Sequence, residues 1–449
     1  MNTSAVPTAT RQPPRILVIM IDGLGDRAWP ELDHQTPLEA AHTPHLDTLA
    51  QTGATGILHP LGPGTAPGTE LAHFVLLGYP PADYPGRVVF EAAGCGLSLS
   101  PDEVAFRTLF SMVRREADGS LTLVEHFAPV KDELCRNLTA RLGLFRHEGL
   151  TLQLVDTGSL QGILTISGGG SEDVTDCDPF FTGRPLAAVQ PLDNARDRDA
   201  ARLTAAAVTA FLHHAYAVFN NRGLCRDGLS LFPLLKWVGR KRRLPTLTEH
   251  TGLKGTIVGS GILLKGIAAE LGLGFHAGST LPDAGADMEA RLEAASAAFT
   301  EGADFVLVHT KAADEAGHAK DPSLKRDVIA DIDRGLAALT AGDPLRADDP
   351  TPPGTLVCVT ADHGTPSGTG LIHSGDPLPI VLRGPGVRAD HVRRFAARDC
   401  ASGSLGHLRG EDFMPVLLNA RGTVRYLGAR LSAHVGLHWP ECYDTFRVP

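Results

Sequence analysis

The sequence predicts an α/β fold in which a sheet is flanked by helices on both faces and an α+β domain is inserted into the chain. Three apolar segments carry this prediction: "ILVIMI" at residues 16–21, "DFVLVHTKAAD" at 304–314 and "TLVCVTADHG" at 355–364. Strands that are apolar on both faces are typical of a parallel sheet covered by helices. Between the last two segments lies "PSLKRDVIADIDRGLAAL", whose apolar residues recur at helical spacing.

The first strand runs directly into "DGLGDR", which places Asp22 at its carboxyl end. The two later segments also end in acidic or imidazole residues, among them Asp314, Asp362 and His363. A fourth strand, "PLPIVLRGPG", follows soon after them. Because ligands of open α/β sheets bind beyond the carboxyl ends of the strands, we expect these side chains to share one site.

A further candidate segment is the loop "GPGTAPGTELAH" at residues 62–73. Its Gly and Pro residues predict turns, and the turns end in a hydroxyl, a carboxylate and an imidazole, those of Thr69, Glu70 and His73. The Thr69 oxygen is the candidate nucleophile for a phosphoryl group held between cations. Thr65 is the alternative hydroxyl, and it ranks lower because no acid and imidazole follow it.

The middle of the chain has a different pattern. Short strands ("LTLVEHF", "LTLQLVD", "GILTISG") precede an Ala-rich helix, "DAARLTAAAVTAFLHHAYAVF". If the first and the later strands belong to one sheet, this part is an inserted domain. We therefore expect a discontinuous core domain of residues 1–107 and 252–449, and an inserted substrate-capping domain of residues 108–251. The segment "TAGDPLRADDPTPPG" is expected to be an exposed connector.

Composition restricts the class of protein. The 449 residues are 43% hydrophobic and 20% charged, which is typical of a soluble globular protein, and the formal net charge of −10 argues against a broad nucleic-acid surface. The dense basic run "KWVGRKRR" at residues 236–243 is interpreted either as a solvated loop or as a local anion site. Seven scattered cysteines without CxxC spacing, and no apolar stretch of membrane-spanning length, predict a cytoplasmic protein without a membrane partner.

The candidate metal ligands all offer oxygen or nitrogen. They are Asp22, Thr69, Asp314, His318, Asp362, His363 and His373. Asp314 and His318 lie four residues apart, a spacing that puts both on one side of a turn. Seven ligands suit two divalent metal ions that each keep a position open for substrate. The lack of sulfur among them favours Mn, Mg, Zn or Fe.

Several of these segments together resemble one known family. They include "DGLGDR", "TPLEAAHTPHLDTLAQTGATGILHPLGPGTAPGTELAHFVLLGY", "YPGRVVFEAAGCGLSL", "HTKAADEAGHAKD" and "TADHGTPSGTGLIHSGDPLPIVLRGPGVRAD". They are similar to the archaeal-type cofactor-independent phosphoglycerate mutases of the alkaline phosphatase superfamily. The resemblance covers roughly the first 107 and the last 200 residues. It implies an alkaline-phosphatase-like sheet and the interconversion of 2- and 3-phosphoglycerate, a small phosphorylated substrate.

The resemblance also implies roles for individual residues. Asp22, Thr69, Asp362 and His363 would hold one metal ion, and Asp314, His318 and His373 the other, with Mn favoured. Thr69 stands where the family has a serine that carries the phosphoryl group. The implied substrate-binding residues are Glu70, His73, Arg87, Arg107, Asp176, Asp178, Arg184 and Lys265.

Departures from the family pattern keep an alternative open. The nucleophile is threonine, an arginine-rich stretch after Arg107 is replaced by "SLTLVEHFAPVKDEL", and Lys265 stands where arginine is expected. Arginine and lysine are not equivalent where a carboxylate or phosphate is held by two hydrogen bonds. The alternative is therefore a metal-dependent hydrolase or transferase acting on another phosphate ester, phosphodiester or phosphonate. A non-catalytic metal-binding module is the hypothesis from a different class, and the retention of all seven ligands argues against it.

Overall fold

A computed structural model of the chain describes residues 13–220, 228–341, 354–368, 370–424 and 446–448. The strands in these ranges are β1 (Arg15–Ile21), β2 (Ala54–His59), β3 (Val104–Arg115), β4 (Leu121–Glu125), β5 (Leu144–His147), β6 (Leu150–Gly158), β7 (Gln161–Ser167), β8 (Leu229–Arg240), β9 (Gly255–Gly259), β10 (Gly274–Ala277), β11 (Phe305–Thr310), β12 (Thr355–Thr360), β13 (Leu378–Arg383) and β14 (Gly406–Arg409). The α-helices are α1 (Pro37–Ala40), α2 (Pro44–Thr52), α3 (Thr69–Leu76), α4 (Arg87–Gly94), α5 (Asp132–Leu142), α6 (Arg198–Asn220), α7 (Leu247–Thr251), α8 (Ile262–Leu271), α9 (Ala284–Thr300), α10 (Ala312–His318), α11 (Pro322–Gly335), α12 (Ala397–Cys400) and α13 (Gly410–Arg421).

Residues 1–82 and 245–449 form one compact unit, and residues 83–244 form another. The first unit contains an eight-stranded sheet in the order β10-β9-β11-β1-β12-β13-β2-β14. β1 pairs in parallel with both β11 and β12, so the carboxyl ends of these three strands lie at one edge. β11 and β12 are buried along their whole length, and β1 is buried in all but its first residue. The predicted α/β class and the three predicted strands are confirmed.

The fourth predicted strand, β13, runs in the opposite direction. It pairs antiparallel with β12 on one side and β2 on the other. The chain enters β13 from the same edge at which β12 ends, and the described residues between the two strands contain no helix that would return the chain to the opposite edge. The predicted helix between β11 and β12 is present as α11.

The unit of residues 83–244 is built on a second, six-stranded sheet. Its order is β4-β3-β7-β6-β5, and β8 pairs antiparallel with β3. The three short strands predicted for this part are β4, β6 and β7, and the Ala-rich helix is α6, whose apolar side packs on the sheet. Among the helices that the structure describes, none combines the length and apolarity needed to span a bilayer.

The two compact units have other bounds than the predicted domains. The first unit boundary lies between residues 82 and 83, whereas the predicted domain boundary is at 107, and the second lies at 244/245, whereas the prediction is 251. β3 continues unbroken across residue 107 and pairs there with β7 and β8, so its whole length belongs to the second sheet. Residues 236–240 of the basic run are the end of β8, so the loop interpretation applies only to residues 241–243. Of the predicted connector at residues 340–354, residues 342–353 lie outside the described residues.

Candidate metal centre

The centre lies at the carboxyl-terminal edge of the eight-stranded sheet. Asp22 directly follows β1, and its backbone N–H donates to the Thr310 carbonyl at the end of β11. Asp362 and His363 follow β12 by two and three residues. Asp362 Oδ1 accepts the backbone N–H of Gly23 at 3.2 Å, which joins the segments after β1 and β12. The parallel pairing of the three strands therefore brings residues from distant parts of the chain to one place, as expected.

Gly23 makes this close approach possible. Its φ is +69°, and a Cβ atom there would lie 2.6 Å from Thr365 Oγ1 and 2.7 Å from Asp314 Cα. Thr365 Oγ1 in turn donates to Asp314 Oδ1 at 2.6 Å. A side chain at position 23 would therefore force apart the two segments that carry the predicted ligands, which is why the sequence has glycine after Asp22.

Two groups of donors contain predicted ligands and no other residue. One donor atom each from Asp22, Asp362 and His363 lies within 4.8 Å of the others, and the same holds for Asp314, His363 and His373. His363 belongs to both groups, whereas the resemblance gave it to one metal ion. His318, the seventh candidate, lies with its Nε2 atom 3.2 Å from Asp314 Oδ1 and is the most exposed of the set.

The electrostatics of these groups fit a cation. Both oxygens of Asp22 and Oδ2 of Asp362 are buried without a hydrogen-bond partner among the described residues. Burial and the Asp22 charge raise the pKa of Asp362 well above its usual range. Burial alone would raise the pKa of Asp22, but the imidazoles of His309 and His363 outweigh it and hold the pKa below its ordinary value. Buried carboxylates that lack donors and repel one another are stabilised by a positive ion.

The predicted nucleophile lies against this group. Thr69 is the first residue of α3, and its Oγ1 atom is 3.2 Å from His363 Nε2. The first N–H groups of a helix are unsatisfied and favour negative charge nearby. The hydroxyl is therefore placed between the donors of the candidate metal centre and the positive end of a helix.

The other substrate-binding candidates of this unit lie at different places. His73, on α3, is buried and its Nδ1 atom is 2.7 Å from the Thr69 carbonyl. Burial lowers the pKa of His73 to about 3 and that of His363 to about 4, so both imidazoles are neutral at pH 7. The Glu70 carboxylate folds back over Gly68, where a Cβ atom would lie 2.8 Å from its Oε1. Lys265 is exposed on α8.

His309, Lys325 and Asp26 lie near this edge and were not singled out from the sequence. His309, on β11, has its Nε2 atom 3.3 Å from Asp22 Oδ2. Lys325, on α11, is fully buried and its Nζ atom donates to Asp26 Oδ2 at 2.9 Å. A lysine within a helix gives no sequence signal of burial. His309 did give a signal of burial in the sequence, because it stands in a strand whose other residues before Thr310 are all apolar.

In the unit of residues 83–244, two predicted substrate-binding arginines share one acid. The Glu91 carboxylate pairs with Arg87 on the same helix, at 2.9 Å from its Nε, and with Arg107 on β3. The Trp237 ring lies beside both guanidinium groups, 3.9 Å from that of Arg87 and 5.1 Å from that of Arg107. These cations are ordered by an ion pair and by cation–π contacts.

Asp176 and Asp178, the two predicted acids of the same unit, contact residues at the end of β8. Asp178 accepts a charge-assisted contact from Lys236 Nζ at 2.6 Å, and Lys236 also lies 4.4 Å from the Trp237 ring. Asp176 accepts hydrogen bonds from the backbone of Trp237 and the residue after it, and burial raises its pKa. Arg184, also predicted, lies 5.8 Å from the Phe181 ring. The contacts of Asp176 and Asp178 that the structure describes are within this unit, and their predicted role in substrate binding stays a prediction.

Comparisons with known proteins agree with this architecture. The chain matches the Metalloenzyme superfamily over residues 14–420. It is 35% identical to a 2,3-bisphosphoglycerate-independent phosphoglycerate mutase of Methanopyrus kandleri, covering 92% of this chain and 98% of that protein. It is 32% identical to the protein named 2,3-bisphosphoglycerate-independent phosphoglycerate mutase 2 of Methanocaldococcus jannaschii, covering 95% of this chain and 98% of that one.

Solved structures are also similar to this chain over most of its length. A protein from Pyrococcus horikoshii superposes with a TM-score of 0.72 at 27% identity, covering 93% of this chain and all of that one. The cofactor-independent phosphoglycerate mutase of Thermoplasma acidophilum superposes with a TM-score of 0.61 at 29% identity, covering 91% of this chain and all of that one. The matches and the buried donor groups support the binding of divalent metal. The chain belongs to the metalloenzyme superfamily and, within it, to the 2,3-bisphosphoglycerate-independent phosphoglycerate mutases.

Proposed function

We propose that this protein is a metal-dependent mutase that interconverts 2- and 3-phosphoglycerate through a phosphothreonine at Thr69. The observation that carries the proposal is the position of the Thr69 hydroxyl, 3.2 Å from His363 Nε2 and next to buried carboxylates without partners. Family membership supplies the substrate class, since the relatives are named phosphoglycerate mutases.

The reaction needs two transfers. Thr69 Oγ1 attacks phosphorus and forms an Oγ1–P bond, while the bond from phosphorus to the glycerate oxygen breaks. The threonine hydroxyl loses its proton and the departing glycerate oxygen gains one. In the return step the other glycerate hydroxyl attacks the phosphothreonine, with the proton changes reversed, which restores Thr69. Bound divalent ions would supply positive charge that lowers the hydroxyl pKa and stabilises the phosphoryl group in the transition state.

The chain's own residues would orient the reactants. The N-terminus of α3 faces the charge that develops at Thr69. We assign one ion to Asp22, Thr69, Asp362 and His363, and the other to Asp314, His318 and His373. The preferred ion is Mn, and Zn or Mg are the alternatives. Imidazole and carboxylate ligands suit both Mn and Zn.

Substrate contacts are proposed for residues of both units. Arg87, Arg107 and Arg184 offer guanidinium groups that suit a carboxylate or phosphate. The remaining proposed contacts are Glu70, His73, Asp176, Asp178 and Lys265. We also propose that residues 83–244 act as the substrate-binding domain and that the protein works in the cytoplasm.

The test is a direct assay combined with trapping. The chain, loaded with Mn²⁺, is given 3-phosphoglycerate, and 2-phosphoglycerate is followed by a coupled enolase reaction. The protein is then quenched, digested and examined by peptide mass spectrometry for the phosphorylated residue. We expect mutase activity and phosphate on Thr69, and Thr69→Ala should lower the activity by roughly a thousand-fold or more. Thr69→Ser should keep the activity within about ten-fold, because it retains the oxygen.

Thr65→Ala is the matched control, since Thr65 is an exposed hydroxyl in the same loop. It should leave activity unchanged. Phosphate on Thr65, or on a residue outside this loop, would refute the mechanism. Release of free phosphate without 2-phosphoglycerate would instead support the second candidate, a hydrolase acting on another phosphate ester. The threonine in place of serine is the observation that favours that candidate.

A further inference from the structure

A third group of donors lies beside the proposed pair of metal positions. One donor atom each from His73, His309 and Asp362 lies within 4.8 Å of the other two. All three side chains are buried, at 1%, 3% and 0% exposure. Nε2 of each histidine and Oδ2 of Asp362 have no hydrogen-bond partner among the described residues, and the nearest approach recorded for His309 Nε2 is to Asp22 Oδ2 at 3.3 Å. Buried polar atoms are nearly always satisfied, so three such atoms on side chains of one small group need an explanation.

We propose that His73, His309 and Asp362 hold a third divalent cation next to the phosphotransfer centre. The proposal shares Asp362 with that centre, but it does not depend on phosphoglycerate being the substrate.

The hydrogen bonds of His73 prepare it as a ligand. Its Nδ1 atom lies 2.7 Å from the carbonyl oxygen of Thr69, so the N–H at Nδ1 donates to that oxygen. The proton at Nδ1 leaves the lone pair of Nε2 free. Histidines that bind metals regularly donate their other N–H to a backbone carbonyl or carboxylate, which fixes the tautomer and the ring orientation. The same bond also ties this position to the residue that carries the nucleophile.

The carboxylates of Asp22 and Asp362 lie between the donor groups. Asp362 Oδ1 accepts the backbone N–H groups of Gly23 and His363, whereas Oδ2 accepts none and lies 3.4 Å from His363 Nε2 and 3.8 Å from His73 Nδ1. Asp22 Oδ1 lies 3.2 Å from His363 Nε2, and its Oδ2 lies 3.3 Å from His309 Nε2. A cation at the third position would therefore balance negative charge that the two groups share.

The ligand chemistry selects the kind of ion. Two imidazoles and one carboxylate are a donor set used by Zn²⁺, and also by Co²⁺, Mn²⁺ and Fe²⁺. Mg²⁺ prefers oxygen ligands and water. We therefore expect the third position to take a transition-metal ion and to reject Mg²⁺.

The experiment measures the number of metal ions bound to each chain. The protein is stripped with chelator, reloaded with excess Zn²⁺, separated from free metal by gel filtration and analysed by inductively coupled plasma mass spectrometry. We expect about three ions per chain, and about two for His309→Asn and for His73→Asn. Reloading with Mg²⁺ should give no third ion. His407→Asn, which removes an exposed histidine of β14 in the same unit, is the control and should keep about three.

Two results would overturn the proposal. One is a wild-type chain that binds only two ions, and the other is a third ion that persists in both histidine variants. If the variants do not fold, anomalous diffraction from Zn²⁺-loaded wild-type crystals decides, because a peak within bonding distance of His309 is required. Mutase activity is measured separately. Three bound ions with no mutase activity would count against the proposed function and leave this site standing.

Discussion

Two buried charged clusters of the same unit differ in how their charges are balanced. Lys325 and Asp26 form an ion pair whose side chains are both 0% exposed. Besides Asp26, the Lys325 ammonium donates to the backbone oxygens of Gly25 and Thr365, so all three of its hydrogens have acceptors. Asp26 also accepts the backbone N–H of Ser367. This cluster is complete within the chain.

The cluster around Asp22 and Asp362 is incomplete. It contains two buried carboxylates, and the imidazoles that face them include His73 and His363, which burial keeps neutral. Three carboxylate oxygens have no hydrogen-bond partner in the described part of the chain. The comparison teaches that burial of charge does not by itself mark a functional site. A deficit of positive charge among buried ligands does, because the chain then depends on ions from outside.

The largest expected effect is that of Asp362→Asn on activity. Asparagine keeps an acceptor for the N–H groups of Gly23 and His363 but removes the charge that a metal ion needs. We expect activity to fall roughly a thousand-fold or more, equivalent to about 4 kcal/mol. Metal content should fall in the same sample. A variant with unchanged activity and metal content would contradict the assignment of Asp362.

The second prediction applies the same substitution to the balanced cluster. Asp26→Asn leaves the buried Lys325 ammonium without a counter-charge, so the free energy of unfolding should fall by about 3–5 kcal/mol. Asp362→Asn in chelator-treated protein should change it by less than about 1 kcal/mol, because asparagine keeps an acceptor for the N–H groups of Gly23 and His363 and no ion pair with a cationic side chain is lost. Urea unfolding measures both.

The double variant Asp26→Asn/Lys325→Met is the matched control for this comparison. Removing the ammonium should restore a large part of the lost stability, since no buried charge is then left unpaired. Equal destabilisation by Asp26→Asn and Asp362→Asn would break the distinction between the two clusters.

Much of the candidate metal centre could be predicted from the sequence, because its signals are local. Asp22, Asp314 and Asp362 each follow an apolar strand whose end can be recognised in the sequence, and parallel strands place those ends at one edge. The structure brings Asp22, Asp362 and His363 together at this edge, and Thr69, at the start of α3, lies against His363. No long-range contact had to be known in advance to find them.

The features that could not be predicted from the sequence depend on contacts between residues that are far apart in the chain. Lys325 is buried because Asp26 and two backbone carbonyls from distant segments accept its hydrogens, and a helical pattern alone makes such a lysine look exposed. The unit boundary differs from the predicted domain boundary for a similar reason, because β3 extends across residue 107 and pairs there with β7 and β8. Local composition does not change at that point.

The smallest expected effect is a pH dependence that comes from His73. Its pKa is lowered from 6.5 to about 3 in the folded protein, so below pH 6.5 the unfolded chain takes up a proton that the folded chain does not. The stability contributed by a neutral His73 is therefore fully present above pH 6.5 and is lost as the pH falls toward 3. In chelator-treated protein, His73→Asn should reduce the slope of unfolding free energy against pH by about 1.2 kcal/mol per unit between pH 6 and 5. Asparagine retains an N–H for the Thr69 carbonyl, and His213→Asn, at an exposed position of α6, should keep the wild-type slope. If His73→Asn and His213→Asn gave the same slope, the His73 imidazole would be charged within the fold, and Asp22 and Asp362 would have a partner after all.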